Sequence, residues 1–400
     1  MLDKRLIIEN ATLILPDRII NSGYIICSKG IITHIGEGEC VECRTSDRKI
    51  DAKGNYVSPG FIDIHTHGAG GHDFMDNTVE AYCKAAQTHA RYGTTSLTPT
   101  TLASTKEELV RTLEVYRKAK AENTKGAAFL GLHLEGPYFS YAQRGAQDPK
   151  YLRNPHPEEY NELLELGGKD IVRWSIAPEL EGALELGKEL HRRNILVSLG
   201  HTNAIYEEVV KAFDCGFTHV THLYSCMSTI TRRNAFRYAG AIEAAYLIDD
   251  MSVEIIADGI HVPEPLLKFV CKFKAHDKIA LCTDSMRAAG MPDGEYLLGS
   301  KEKGQKVIVE DGVAKLPDKS AFAGSVATAD RLIRTMITQA GISLPEAIKM
   351  MTQNPARILG IEKRKGTLEV GKEADLVIFG SDIAVQDTIV GGEIIYTKNK

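Results

Sequence analysis

Apolar runs of strand length recur along the middle of the chain, and between them apolar residues return every three or four positions. The runs fall at 61–65, 94–98, 128–133, 171–176, 195–199, 218–221, 252–257 and 279–283. The intervening stretches include Val79 to Tyr92, Lys106 to Ala121 and Ile205 to Phe213. Apolar runs alternating with helical periodicity are the pattern of β/α units, and eight of them predict an α/β fold with a TIM-like (β/α)8 barrel rather than an open sheet. The two ends have another texture. Leu6-Ile7-Ile8, Thr12-Leu13-Ile14-Leu15, Tyr24-Ile25-Ile26-Cys27 and Ile31-Ile32-Thr33-His34-Ile35 are short and β-branched, and Pro16-Asp17, Asn21-Ser22-Gly23 and Lys29-Gly30 punctuate them. Leu376-Val377-Ile378-Phe379, Ile389-Val390 and Ile394-Ile395-Tyr396 repeat that texture. Residues 1–55 plus 362–400 are therefore expected to form one small β-sandwich domain built from both termini, around a barrel at 56–361. The stretch 295–316 reads as β structure inserted after the eighth strand, and helices are expected at 326–340 and 345–353.

Composition sharpens this picture by exclusion. The 400 residues are 43% hydrophobic and 25% charged, enough for a large core. Net charge is -5 and no basic field covers the chain, which argues against nucleic acid as a partner. The start carries Asp3, Lys4, Arg5 and Glu9 in place of an uninterrupted apolar stretch, and no later run approaches membrane-spanning length. A cytoplasmic protein with no membrane partner is expected. The eight cysteines are scattered, so reduced thiols are the default. Cys40 and Cys43 form a CxxC, but no second ligand pair follows to complete a structural zinc site.

The chemistry-bearing residues sit where the apolar runs end, the face on which barrel enzymes build their sites. The first run ends in Asp63-Ile64-His65-Thr66-His67, and positions two apart on a strand point to the same side. The third ends in His133-Leu134-Glu135, the fifth in Gly200-His201-Thr202, the sixth in Thr221-His222 and the eighth in Thr283-Asp284-Ser285. Alone, an HxH pair or an aspartate after a strand says little, since such an aspartate commonly caps a helix. Six N and O donors at five strand ends, in barrel order, predict a site for a divalent transition metal (Zn, Fe, Mn or Co). His34, His72, His89, His156, His191 and His276 do not share that placement and read as surface, packing or supporting residues.

Several runs then carry a resemblance. Pro59-Gly60-Phe61-Ile62-Asp63-Ile64-His65-Thr66-His67-Gly68 resembles the first-strand motif of the amidohydrolase superfamily. His133-Leu134-Glu135-Gly136-Pro137, Gly200-His201-Thr202, Thr221-His222-Leu223-Tyr224, Asp258-Gly259-Ile260-His261, Thr283-Asp284 and Ala323-Gly324-Ser325 resemble its N-acetylglucosamine-6-phosphate deacetylase branch. Asn354-Pro355-Ala356-Arg357 and the run from Gly366 to Val377 are similar to segments shared across the superfamily, so the likeness spans nearly the whole chain.

That resemblance implies roles. Glu135, His201 and His222 match the principal metal ligands. His65 and His67 match a second metal position, so one or two metals per chain are expected, with Glu135 as the bridge and Asp284 as general base that also touches metal. Substrate contacts are implied for Ala146, Gln147, Ser225, Cys226, Arg233, His261 and the Phe322-Ala323-Gly324 turn. Gln147 falls where many members carry a histidine that polarises the amide carbonyl, and Ser225-Cys226 replaces a common Asn-Ala pair. Arg233 matches an arginine that grips the sugar phosphate from the neighbouring subunit of a homodimer. The reaction implied is hydrolysis of the acetamide of N-acetylglucosamine-6-phosphate. The same chemistry on N-acetylgalactosamine-6-phosphate or another amide stays open. So does, more remotely, a non-catalytic scaffold, although a scaffold would be expected to have lost part of the ligand set.

Overall fold

A computed structural model describes residues 5–40 and 44–398. Cys43 lies outside the described residues, so the CxxC stands as a sequence feature only.

Eight parallel strands follow the apolar runs: β1 (Phe61–Thr66), β2 (Thr94–Pro99), β3 (Leu132–Glu135), β4 (Ile171–Ile176), β5 (Leu196–Leu199), β6 (Phe217–Val220), β7 (Ser252–Ile255) and β8 (Ile279–Leu281). Strands β3 to β8 pair in sequence order as one sheet, and β1 pairs with β2 in another. Parallel bridges between Thr100 and His133 and between Thr66 and Ser285 connect the two sheets, giving a TIM-like curl. The expected third strand at 128–133 is broken in two. Ala128–Phe129 pairs back to β2, whereas Leu132 onward pairs forward to β4. The break falls at Gly131, where φ is 154° and a Cβ would stand 2.2 Å from Val172, so only glycine fits between the two pairings.

Helices Val79–Ala90, Lys106–Glu122 and Tyr206–Asp214 occupy the predicted periodic stretches, and Thr78 and Thr105 cap the first two through their hydroxyls. The expected helix at 326–340 is α-helical over Ala329–Thr335 and continues as a π-turn through Ala340. The one at 345–353 becomes two short helices, Leu344–Met351 and Gln353–Ile358. The insertion is a three-stranded antiparallel sheet, Gly294–Leu298, Gln305–Glu310 and Val313–Lys315.

Strands from both ends of the chain share one eight-stranded mixed sheet. Leu6–Ile8 and Thr12–Leu15, read as separate segments, belong largely to one strand, Leu6–Ile14, whose register shifts after Ile8. Asn10, at φ 54°, carries that irregularity. Tyr56–Pro59 joins N- to C-terminal strands by pairing with both Leu6–Ile14 and Leu376–Phe379. Asp375 fastens this sheet to the parallel strands: it accepts from Ser96 of β2 at 3.3 Å and from the Gly391 amide at 2.8 Å, and it pairs with buried Lys365.

Removing that carboxylate leaves Lys365 partly compensated, since Glu373 also lies 2.7 Å away. Asp375→Ala should therefore cost about 3 kcal/mol, the low end for breaking a buried ion pair. Urea unfolding measures it, and replacing the pair together, Lys365→Met with Asp375→Leu, should recover most of the loss. An unshifted unfolding curve for Asp375→Ala would show that the joint is held elsewhere.

Candidate metal centre and active site

Each predicted donor stands at or just beyond the C-terminal end of its strand. His201, His222 and Asp284, which follow β5, β6 and β8, all have left-handed backbones, with φ of 48°, 31° and 45°. Such conformations are unfavourable for residues with a Cβ and are seen where the surroundings impose them. Hydrogen bonds supply the restraint. The amide of Asp284 donates to His65 O at 2.8 Å, that of Ser140 to His201 O at 3.0 Å, and that of His222 to the Glu254 carboxylate at 3.1 Å.

The turns bring the six donors together. Glu135 Oε1 is 3.4 Å from His65 Nε2, 3.3 Å from His201 Nε2 and 3.2 Å from His222 Nε2, and Glu135 Oε2 is 3.4 Å from His67 Nε2. Asp284 Oδ1 is 3.4 Å from His65 Nε2 and 3.1 Å from His67 Nε2. Two groups result, Glu135–His201–His222 and His65–His67–Asp284, each within 4.8 Å and all buried. Donors about 2.0–2.1 Å from a tetrahedral ion stand roughly 3.3–3.4 Å from one another, so the spacing fits metal ligation. Among the described residues His65 Nε2 is also buried without a hydrogen-bond partner, which leaves it open to a cation once the ring is neutral.

The electrostatics follow from this crowding. Burial alone would raise the Glu135 pKa, but His65 and the hydrogen bonds from His201 and His222 hold it well below the carboxylate range. Burial opposes the imidazolium of His65, yet Asp284, Glu254 and Glu135 outweigh it and push His65 up to about 10. His67 is raised as well: burial is again outweighed, here by Asp284 and Glu135.

A cavity of about 280 Å3 opens on the cluster. Ala146, Gln147, Ser225, Cys226, His261, Phe322 and Gly324 line it as expected positions, and Tyr224 joins them. His261 is tethered through Nδ1 to Asp258 at 2.8 Å, and its ring packs 4.5 Å from Phe322. Ala323 departs from expectation. It is buried in the small core under the insertion, and its amide is spent on Ala314 O. Gln147 is committed at both ends of its amide: Oε1 accepts from Ala103 N at 2.8 Å and Nε2 donates to Glu135 Oε2 at 2.7 Å. It supports the Glu135 carboxylate, a contact that its place in a loop did not foretell. Arg233 ends a two-stranded hairpin, Thr231–Arg233 with Phe236–Tyr238; its side chain lies outside what is described.

Two charged residues inside strands escaped the sequence reading. Arg173 on β4 and Glu254 on β7 form a wholly buried ion pair at 2.6 Å beneath the cluster. The signal was present as a lone charge within each apolar run, Val172-Arg173-Trp174 and Val253-Glu254-Ile255. His89, read as a packing or supporting residue, is buried and bonded to Thr66 Oγ1 at 2.9 Å, and burial lowers it to about 4.

Comparison with known proteins supplies the context. The amidohydrolase family model matches residues 56–395. The N-acetylglucosamine-6-phosphate deacetylase of Bacillus subtilis is 34% identical over 98% of this chain and 97% of its own. The N-acetylgalactosamine-6-phosphate deacetylase of Escherichia coli O157:H7 is 34% identical over 84% of this chain and 87% of its own. Among solved structures, the N-acetylglucosamine-6-phosphate deacetylase of Pasteurella multocida superposes with a TM-score of 0.90 at 29% identity, covering 98% of this chain and 99% of that one. A mutant of the Mycobacterium smegmatis enzyme, in complex with N-acetyl-D-glucosamine-6-phosphate, gives 0.88 at 30%, covering 99% and 100%.

Because imidazoles must be neutral to ligate, a cluster whose His65 titrates at about 10 has to expel protons on taking up metal. Apparent metal affinity should therefore climb as pH rises from 7 toward 10, with proton release at pH 7. Titration calorimetry of metal-free protein in two buffers of different ionisation enthalpy measures this; equal heats in both would show that the histidines are already neutral.

Proposed function

We propose, on the premise that this chain belongs to the amidohydrolase family, that it is a metal-dependent hydrolase that removes the acetyl group of N-acetylglucosamine-6-phosphate, giving glucosamine-6-phosphate and acetate. The carrying observation is the convergence of His65, His67, Glu135, His201, His222 and Asp284 in one buried cluster, all but His65 lining the cavity above it, in a chain whose relatives over nearly its full length are deacetylases of this kind. We assign Glu135, His201 and His222 to one divalent metal position and His65, His67 and Asp284 to a second, with Glu135 reaching both. A metal held there supplies a bound water of lowered pKa and polarises a carbonyl.

The chain's own groups do the rest. Burial raises the pKa of Asp284, but His65 and His67 outweigh it, so the carboxylate stays ionised. It takes the proton of the attacking water and returns it to the amine nitrogen as the C–N bond breaks. Asp258 holds His261 through Nδ1 and leaves Nε2 for a substrate oxygen. Gln147 keeps Glu135 in register. The reading extends to a closed (β/α)8 barrel at 56–361, a small sandwich domain from 1–55 plus 362–400, and a cytoplasmic protein. Among the described residues no helix is long and apolar enough to cross a membrane. The galactosamine reading is kept alive by the Escherichia coli relative.

Deacetylation assays across 6-phosphorylated and free N-acetylhexosamines, on protein of known metal content, decide among substrates. N-acetylglucosamine-6-phosphate should be preferred, and a preference for the galacto epimer or for an unphosphorylated amide would replace this reading. In the same assay Asp284→Asn should bind substrate yet lose at least ~100-fold in kcat. Near-normal turnover in metal-replete Asp284→Asn would place the base elsewhere.

The hairpin bearing Arg233 exposes Ile230 (61%) and Phe236 (71%), large apolar side chains that a second copy of the chain would cover. We infer a homodimer in which Arg233 reaches the phosphate of the partner's site, where a guanidinium fork suits a dianion. Arg233→Ala should raise KM for phosphorylated substrate on the order of 100-fold, while any turnover of the free sugar stays put. Mixing Asp284→Asn with Arg233→Ala subunits should restore activity to about a quarter of the sites, because half the dimers are mixed and each has one intact site. Demonstrated subunit exchange without recovery would place Arg233 in its own subunit's site or in none.

A further inference from the structure

Glu254 lies in the middle of β7, wholly buried between Val253 and Ile255. One of its oxygens, Oε1, is 2.7 Å from His65 Nδ1 and accepts the His222 amide at 3.1 Å. The other, Oε2, takes Arg173 Nη1 at 2.6 Å and stands 3.5 Å from His219 Nε2. Arg173 spends three further donors on Ile64 O at 2.9 Å, Ser198 Oγ at 3.0 Å and Thr221 Oγ1 at 3.0 Å. A buried ion pair adds little net stability over apolar side chains of the same volume, because desolvating both charges offsets their attraction. Core filling therefore does not account for one here.

The contacts of Glu254 point to its use. His65 belongs to the His65–His67–Asp284 group and His222 to the Glu135–His201–His222 group. A single carboxylate oxygen holds the ring of one and the backbone of the other. In the neutral ring, donation from His65 Nδ1 to Oε1 selects the tautomer whose Nε2 carries the lone pair, and among the described residues Nε2 has no hydrogen-bond partner. The neighbouring imidazoles lack such support: among the described residues His67 Nδ1 and His222 Nδ1 have no hydrogen-bond partner, and His201 Nδ1 leans on a neutral carbonyl, Gln143 O, at 2.9 Å. Ligand histidines whose second nitrogen meets a carboxylate are better oriented and more basic.

We propose that Glu254, anchored by Arg173, is a positioning residue that makes His65 a competent ligand and ties the two metal positions together. The inference rests on the metal reading of the cluster. Its test is zinc uptake by the full-length protein at graded free zinc, read as equivalents bound per chain. The wild type should bind two equivalents. Glu254→Gln should weaken one of them roughly 10- to 100-fold and leave the other within about threefold. His65→Ala should weaken the same equivalent, and adding Glu254→Gln to His65→Ala should cause little further loss, because the two act through one contact. A purely structural glutamate would instead weaken uptake by the same factor in both backgrounds. That result, or two equivalents of unaltered affinity in Glu254→Gln, overturns the inference while sparing the metal reading. A second equivalent that survives His65→Ala does the same. Wild-type protein that binds no zinc overturns the metal reading itself. Should Glu254→Gln not fold, Arg173→Met with Glu254→Met removes both charges together and should show the same selective weakening.

Discussion

Negative charge buried at the mouth of the parallel strands is the constraint from which the site's construction follows. Glu135, Asp284 and Glu254 are buried, Glu254 wholly, and the charges around them hold their carboxyls below the usual carboxylate range, whereas an isolated carboxylate there would be costly. Five imidazoles, a guanidinium and the Gln147 amide are arranged around them. The protein thus holds a preassembled counter-charge lattice, in which donors a little over 3 Å apart are spaced for a cation to share.

The lattice dictates the backbone. Imidazoles two apart on β1 converge because strand side chains alternate, whereas His201, His222 and Asp284 reach the same point only by turning through left-handed conformations. Those turns are held by backbone hydrogen bonds: the Asp284 amide donates to β1, the Ser140 amide to His201 O and the His222 amide to Glu254. Strain at three positions is offset by a frame that extends through Arg173 to β5 and β6, and the geometry of the donors is a property of the whole sheet.

The parts legible in the sequence were those written in local pattern. Alternation of apolar runs with helical periodicity gave the eight strands within a few residues, and His65, Glu135, His201, His222 and Asp284 stood at their ends. What escaped depends on which strands lie side by side. Arg173 and Glu254 are 81 residues apart in sequence, and nothing local says that they meet. Gln147 sits in a loop whose path over Ala103 and Glu135 is set by packing. The break in the third strand was hidden because Gly131 matters through its approach to Val172 on the next strand. The packing of Ala323 under the insertion was hidden for a similar reason, since a motif names residues without saying which amide is already bonded to the insertion.

The meeting of β1 with the segment after β8 bears on how the protein comes into being. Asp63 accepts from Thr283, and Thr66 bridges to Ser285, contacts that span about 220 residues of chain. His65 and His67 are translated early and Asp284 late, so during synthesis the paired histidines emerge without the carboxylate that completes their group. Contacts of such separation form slowly, after much loop-closure entropy has been lost. A nascent chain therefore exposes an incomplete chelate for most of its time on the ribosome. Completion of the His65–His67–Asp284 group belongs to the finished polypeptide, and it marks the moment the first and last parallel strands find each other.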